Sequence, residues 1–357
     1  EMEDKGPHNK STDEYDDNDD ASEEFEELDQ ISRVALLIDD LNNEDPLAQQ
    51  NSIEKLGTIA QVLGAHRWVD ELIPMLTELI DRIDNNTDLL MHLAIELGNL
   101  TEFLGPKLCI ELCKPLELIC SSDENIVRDK AQEALLKVCE HLDTEKRNTE
   151  FYELVERLSK GDLYSMRIAS CYLLAKTYEK TQIADIKDTI FNALYVDDTP
   201  MVRRAMAINL GDFSKAIGHP IDIILKSYKS LLNDQQDAVR IEALKNSWTL
   251  AKILKDNNEL EKLENEIVLS VKAAGEDKNS WRLRFSVWEL LSDFTHIIEK
   301  ELADKHMKAV IQELLRDNEP EVRSEIIIKV TEIVEVVKPD QVLDKLISLT
   351  NDSSQHV

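Results

Sequence analysis

The stretches NDQQDAVRIEAL (residues 233–244) and DNEPEVRSEIII (residues 317–328) can be laid one over the other. Each opens on an acidic turn, passes an apolar residue and then an arginine, and continues with apolar residues at helical spacing. SDENIVRDKAQEAL from Ser122 and VDDTPMVRRAMAINL from Val196 keep the same order. GDLYSMRIASCYL from Gly161 and DKNSWRLRFSVWEL from Asp277 are weaker members. The apolar residue before the arginine defines a register position, at Val127, Met166, Val202, Val239, Leu283 and Val322. The breaks NNEDPLAQQ and NNTDLLMHL carry it back to Ala48 and Leu89, and NDSSQHV carries it on to Val357. The starts recur with a period of about 39 residues, which is the signature of a repeat architecture.

That period holds two helices and two short connections. It matches the helical hairpins of HEAT and armadillo arrays. The second helix of each hairpin is expected to begin at the acidic turn. Pro46, Pro200 and Pro320 each stand two residues before a register position, and proline suits a first helical turn, where its missing N–H would have no partner anyway. Asp45 and Thr199 precede two of these prolines as candidate N-caps. The fold class is therefore all-α: a HEAT-repeat α-solenoid of antiparallel helix pairs stacked into a superhelix. Each repeat buries its apolar stripe only against its neighbours. Residues 31–357 hold about eight complete repeats and the first part of a ninth. The array is expected to continue past Val357, with further repeats missing from this chain.

Residues 1–30 differ in kind. They carry fourteen acidic side chains, two lysines and almost no aliphatics. Such a segment cannot bury enough apolar surface to offset its ordering entropy, so it reads as a disordered acidic tail. The whole chain of 357 residues has a formal net charge of -31. That balance opposes nucleic-acid binding, which needs fields of Lys and Arg, and docking on anionic membranes. No run of 18 apolar residues and no leader pattern stands out. Five cysteines, an odd number, fit a reducing compartment, cytoplasmic or nuclear.

No catalytic motif is present. The chain lacks G-x-x-x-x-G-K, G-x-S-x-G and H-E-x-x-H, and contains no His-Glu pair of the kind that di-iron sites on HEAT-like repeats use. Cys109, Cys113 and Cys120 share one helical face, and His141 lies near Cys139, so zinc is a sharp reading. The plainer one is a set of buried core thiols, because the Cys-x-x-Cys pairs of structural zinc are missing. Neither a metal nor another cofactor is expected, and the chain reads as a binding protein rather than an enzyme.

The arginine after the register position recurs as Arg128, Arg167, Arg203, Arg240, Arg284 and Arg323. Aspartate stands five residues before the register position at Asp197, Asp234, Asp317 and Asp352. A feature common to many repeats answers a need common to them. These side chains are therefore read as a ladder, with each carboxylate taking an arginine of its own or a neighbouring repeat. Residues that break the register are the better contact candidates. Arg204 is a second arginine found in no other repeat. Trp281 replaces the proline at an outward-facing helix start, and Arg282 follows it, a pairing typical of interface hot spots.

VDDTPMVRRA, EDKNSWRLR, ENIVRDKA and NSIEKLGTIA, in that register, resemble the scaffold (A, or 65 kDa regulatory) subunit of protein phosphatase type 2A. The resemblance runs from about Ile31 to the end. It implies a solenoid of HEAT repeats whose early turns bind an interchangeable regulatory B-type subunit, while its last repeats bind the catalytic subunit. Carried onto this chain, it implies partner contacts at Asp198, Pro200, Arg204 and Trp281, with Glu124 and Asp88 as weaker matches. The catalytic-subunit surface would then lie in repeats absent here. The acidic tail departs from the family pattern, and the turns DPLAQQ and NTDLLM lack the register arginine. A HEAT adaptor of another kind, such as a nuclear-transport receptor, is the alternative.

Overall fold

The computed structural model describes residues 17–178, 184–218, 220–325, 329, 339–355 and 357. Every regular element among them is helical. Second helices open at Pro46–Ile53, Thr87–Asn99, Asn125–His141, Tyr164–Thr177, Pro200–Ile217, Asp237–Lys245 and Trp281–Ile297, with an eighth over 320–325. Each begins two residues before a register position. The reason is geometric: a residue two places into the helix points back across the first turn toward the preceding helix. Leu89, Val127, Val202, Val239, Leu283 and Val322 are accordingly all buried, whereas Ala48 and Met166 are only partly so.

The turn chemistry holds at three starts. Asp45 accepts a hydrogen bond from Leu47 N–H (3.1 Å), Asn86 from Leu89 N–H (3.1 Å) and Ser280 from Leu283 N–H (3.2 Å). Thr199 sits at its N-cap but makes no capping bond there. Its hydroxyl instead accepts from Arg167 Nη2 at 3.0 Å, so an arginine of the previous repeat has taken the oxygen a cap would use.

The first helices are less regular. Four are entered through a π-helical turn, at Trp68–Leu72, Arg147–Phe151, Leu263–Val268 and Ala303–Met307. Such a turn inserts one residue without breaking the backbone ladder. Each places a large side chain inward: Trp68, Phe151, Leu263 and Met307 are fully buried. Between repeats the chain reverses through left-handed residues, Gly64 (φ 76°), Gly105 (φ 67°), Gly218 (φ 69°) and Asn258 (φ 59°). Space around the three glycines is open, so the dihedral angle and not crowding selects them. One continuous apolar core runs from Val34 through the stacked pairs to Leu349.

The segment expected to be a disordered tail divides differently. Residues 1–16 lie outside the described residues. From Asp17 a single helix runs to Leu41 across the boundary set at residue 30.

Candidate functional site: a turn ridge held by an arginine–aspartate ladder

Each register arginine from Arg167 onward reaches forward to the next repeat. Arg167 Nε lies 2.8 Å from Asp197 Oδ2, and Arg203 Nε 2.6 Å from Asp234 Oδ2. Arg284 Nε is 2.5 Å from Asp317 Oδ2, and Arg323 Nε is 2.7 Å from Asp352 Oδ2. In all four the second carboxylate oxygen accepts from Nη2, giving a bidentate fork. Nη1 turns back to its own acidic turn, where it donates to the carbonyls of Gly161, Asp197, Asp277 and Asp317. Each aspartate also accepts the N–H two residues on, as in Thr199 N–H to Asp197 (2.8 Å) and Ser354 N–H to Asp352 (2.8 Å). These are Asx turns, so the carboxylate shapes its own loop while gripping the previous repeat.

Arg240 makes the fifth rung with a different fork. Its Nη1 donates to Asp277 at 2.9 Å and its Nη2 to Asp237 of its own helix. Asp277 stands six and not five residues before its register position, which hides it from a fixed-spacing search.

Arg128 does not belong to the carboxylate ladder, contrary to its assignment from sequence. The next repeat offers Gly161 where the others offer aspartate. A Cβ at Gly161 would meet Met166 Cβ and Sδ at 2.9 Å, so the side chain at the register position fills that slot. Arg128 is 4% exposed and donates to Ser122 O (2.9 Å) and Asn125 Oδ1. Its buried Nε has no hydrogen-bond partner. A buried cation without a counter-ion is a poor stabiliser. Arg128→Met should therefore leave stability unchanged or raise it in denaturant unfolding. A loss as large as that from removing a rung arginine would contradict this reading.

The ladder responds to acid. Hydrogen bonds from Arg323 and the Ser354 N–H hold the Asp352 carboxyl down at about 2. At Asp234 and Asp277 burial pushes the carboxyl up. The hydrogen bonds outweigh it and keep both below the usual range: at Asp234 from Arg203 and then the Gln236 N–H, at Asp277 from the Ser280 and Asn279 N–H groups and then Arg240. A carboxyl whose folded pKa is depressed adds stability above its unfolded pKa of about 4 and loses it as pH falls through the folded value. Melting temperature should thus hold near neutral pH, start to fall near pH ~4 and drop steeply toward pH ~2. An unchanged melting temperature across that window would exclude the ladder as a stabilising element.

Outside the ladder, the turns face solvent. Asp88, Glu124, Asp198 and Pro200 are exposed. Beside them stand Leu47 (72% exposed), Ile126 (52%), Val196 (57%) and Met201 (46%), an aliphatic component that the sequence reading missed. No sequence signal marks it, since these residues look like any other apolar position until the turn geometry is known. Arg204 is not free: Nη2 lies 2.7 Å from Glu242 Oε1 of the next repeat, with 39% of its side chain exposed. Trp281 is half-buried against the core and not fully outward-facing. The exposed Arg282 guanidinium stacks over its ring at 4.5 Å from the centroid. All five cysteines are buried, and His141 is exposed, with Nδ1 bound to Lys137 O of its own helix. Among the described residues no group of three His, Cys, Asp or Glu side chains is placed to hold a metal, and no helix is long and apolar enough to cross a membrane.

Comparison with known proteins bears on this ridge. The regulatory A-type subunit of protein phosphatase PP2A from Schizosaccharomyces pombe is 35% identical over 260 residues, which is 71% of this chain and 43% of that protein. The beta isoform of the human 65 kDa regulatory A-type subunit is 41% identical over 188 residues, 52% of this chain and 31% of that protein. This chain is a relative of the phosphatase 2A regulatory A-type, or scaffold, subunits. The Saccharomyces cerevisiae regulatory A-type subunit extends the match to 73% of the chain at 29% identity, covering 42% of that protein. The chain thus spans less than half the length of these scaffold proteins. No family model matches it.

Among solved structures, Kap121p bound to Pho4p has a TM-score of 0.59 at 14% identity, covering 89% of this chain and 39% of its own. Kap95p with RanGDP has the same TM-score at 13% identity, covering 88% and 44%. Identities that low establish a shared HEAT-type fold. They do not favour a transport role over the phosphatase-scaffold relationship, which rests on sequence.

Proposed function

We propose that this chain acts as a scaffold for a phosphatase of the 2A type, holding a regulatory B-type subunit on its ridge of intra-repeat turns. Asp88, Glu124, Asp198, Pro200, Arg204, Trp281 and Arg282 are the contact candidates. The catalytic subunit would be held by further repeats of the full-length protein. The role is non-enzymatic: two proteins held on one array meet at raised effective concentration and fixed geometry. The observation that carries this reading is the ladder together with the phosphatase-scaffold relationship. Five arginines tie successive turns from the fourth repeat onward into one edge, and Val196, Asp198, Pro200 and Met201 stand exposed on it, while Leu47, Asp88, Glu124 and Ile126 stand exposed at the turns that precede it.

The test is binding of purified regulatory and catalytic phosphatase subunits to the 357-residue chain. The regulatory subunit should be retained, and the catalytic subunit by itself should not. Capture of the catalytic subunit without any regulatory subunit would sink the proposal. Arg204→Ala should weaken regulatory-subunit binding about three- to tenfold, with a stability loss below about 1 kcal/mol, because 39% of the Arg204 side chain is exposed and Glu242 keeps Lys245 of its own helix as a partner at 3.4 Å.

A further inference from the structure

Counting repeats by register position from Ala48 as the first, repeat 6 has its register at Val239 and its second helix over Asp237–Lys245, and it offers little to a partner from its own turn. At the positions where its neighbours carry Pro200 and Met201, or Trp281 and Arg282, it carries Asp237 and Ala238. Its second helix nevertheless touches Arg204 on one side and, on the other, Ser280, the residue just before Trp281. Toward repeat 5, Glu242 takes Arg204 Nη2 at 2.7 Å. Asn246, which caps the same helix at its C-terminal end, donates to Ala207 O of repeat 5 at 2.8 Å. The approach is close: a Cβ on Gly211 would lie 2.7 Å from Asn246 Oδ1. Toward repeat 7, Asp237 Oδ2 accepts from Ser280 Oγ at 2.6 Å. Ser280 is the buried N-cap of the helix whose first two residues are Trp281 and Arg282. Hydrogen bonds from Ser280 and Arg240 hold the Asp237 carboxyl below its usual range, with the Arg282 charge adding to them.

The ladder itself gives way at this place. Four rungs use Nε and Nη2 together on the next aspartate. Arg240 instead sends Nη2 to Asp237, keeps one bond to Asp277, and leaves a buried Nε without a partner. An inter-repeat hydrogen bond is given up, and what it secures is the orientation of Asp237. Glu242 is likewise no ladder member; its side chain is only 15% exposed, and it pairs with Arg204 of repeat 5 at 2.7 Å and with Lys245 of its own helix at 3.4 Å.

We propose that the second helix of repeat 6 is a positioning element for partner binding: Glu242 sets the Arg204 guanidinium, and Asp237, through Ser280, sets the Trp281–Arg282 stack. This rests on the reading of Arg204, Trp281 and Arg282 as contacts. Both carboxylates act through those side chains, so they matter to affinity only while those side chains are present.

The experiment is a pair of double-mutant cycles on the 357-residue chain, with affinity for a purified B-type regulatory subunit measured by calorimetry and melting temperature recorded for each variant. Glu242→Gln should weaken binding about three- to tenfold. In the Arg204→Ala background it should change nothing further. Asp237→Asn should behave the same way against Trp281→Ala. Unchanged affinity in Glu242→Gln and Asp237→Asn, beside weakened Arg204→Ala and Trp281→Ala, would overturn the positioning role and leave the contact reading intact. Full additivity in both cycles would overturn it too, since the carboxylates would then act independently of the contacts. If Arg204→Ala and Trp281→Ala themselves bind normally, the contact reading fails and the positioning role fails with it.

Discussion

Replacing Arg203 by alanine is expected to destabilise the array by about 3 kcal/mol, several times the loss from replacing its neighbour Arg204. The reason lies with the carboxylate left behind. Asp234 has only 7% of its side chain exposed and receives both Nε and Nη2 of Arg203. Without the guanidinium its carboxylate stays buried with only backbone N–H groups and must protonate, shift or draw in water. The Asp197 carbonyl would also lose the Nη1–H that secures its turn. Arg204 faces Glu242 across a pair more open to solvent, and Glu242 retains Lys245 at 3.4 Å when Arg204 is removed. Urea unfolding of the two single variants, together with Arg203→Ala/Asp234→Ala, decides the matter. The double variant should lose less than the sum of its parts, by about 1–3 kcal/mol of coupling. Equal losses for Arg203→Ala and Arg204→Ala would refute the separation of a ladder arginine from a contact arginine. Since nearest-neighbour coupling dominates such arrays, the loss should appear chiefly in repeats 5 and 6.

What the sequence disclosed follows the strength of local chemistry. The eight second-helix starts were legible because acidic turns, prolines at the first helical position and an apolar residue two places further on all act over a few residues. The ladder was half legible. Recurrence of arginine and aspartate announced a paired function, but whether the pairs close within a repeat or between repeats depends on the stacking, which sequence does not display. The same limit explains Arg128, whose residue type fits the pattern while Gly161 and Met166 deny it a partner. It also explains Arg204, read as a contact candidate with no sign of its pairing to Glu242, which lies 38 residues away. Thr199 has the chemistry of a cap, and its hydroxyl is drawn off by Arg167. The inter-repeat reversals escaped notice because a left-handed residue leaves little trace. Gly64, Gly105 and Gly218 are three of nine glycines, and residue type alone does not separate them from the rest. The aliphatic side chains at Leu47, Ile126, Val196 and Met201 were invisible for a related reason: exposure is a tertiary property.

Trp288 and Trp281 stand on one helix and should part company when each is truncated. Trp288 is fully buried, five residues beyond the register position Leu283. Trp288→Ala removes a large ring from a close-packed interior and should cost about 4 kcal/mol, combining lost transfer energy with the cavity left behind. In a stacked array that loss falls on the nearest repeats. The C-terminal end should therefore unfold first, giving a second transition in urea monitored by circular dichroism. Trp281 is only half-buried, and part of its contact is the stack with Arg282 at 4.5 Å. A cation–π pair that open to water contributes about 0.5–1 kcal/mol, so Trp281→Ala should lower stability by about 1 kcal/mol and leave one main transition. Affinity should run the other way. Trp281→Ala should lose regulatory-subunit binding at temperatures where it is fully folded, and Trp288→Ala should retain it at temperatures where repeats 7 and 8 remain folded. If the two variants lose equal stability, Trp281 belongs to the core and the ridge ends before repeat 7. If Trp281→Ala instead stays folded and loses binding, the ridge extends at least from Asp198 to Arg282 across three successive repeats, with the ladder joining each turn to the next.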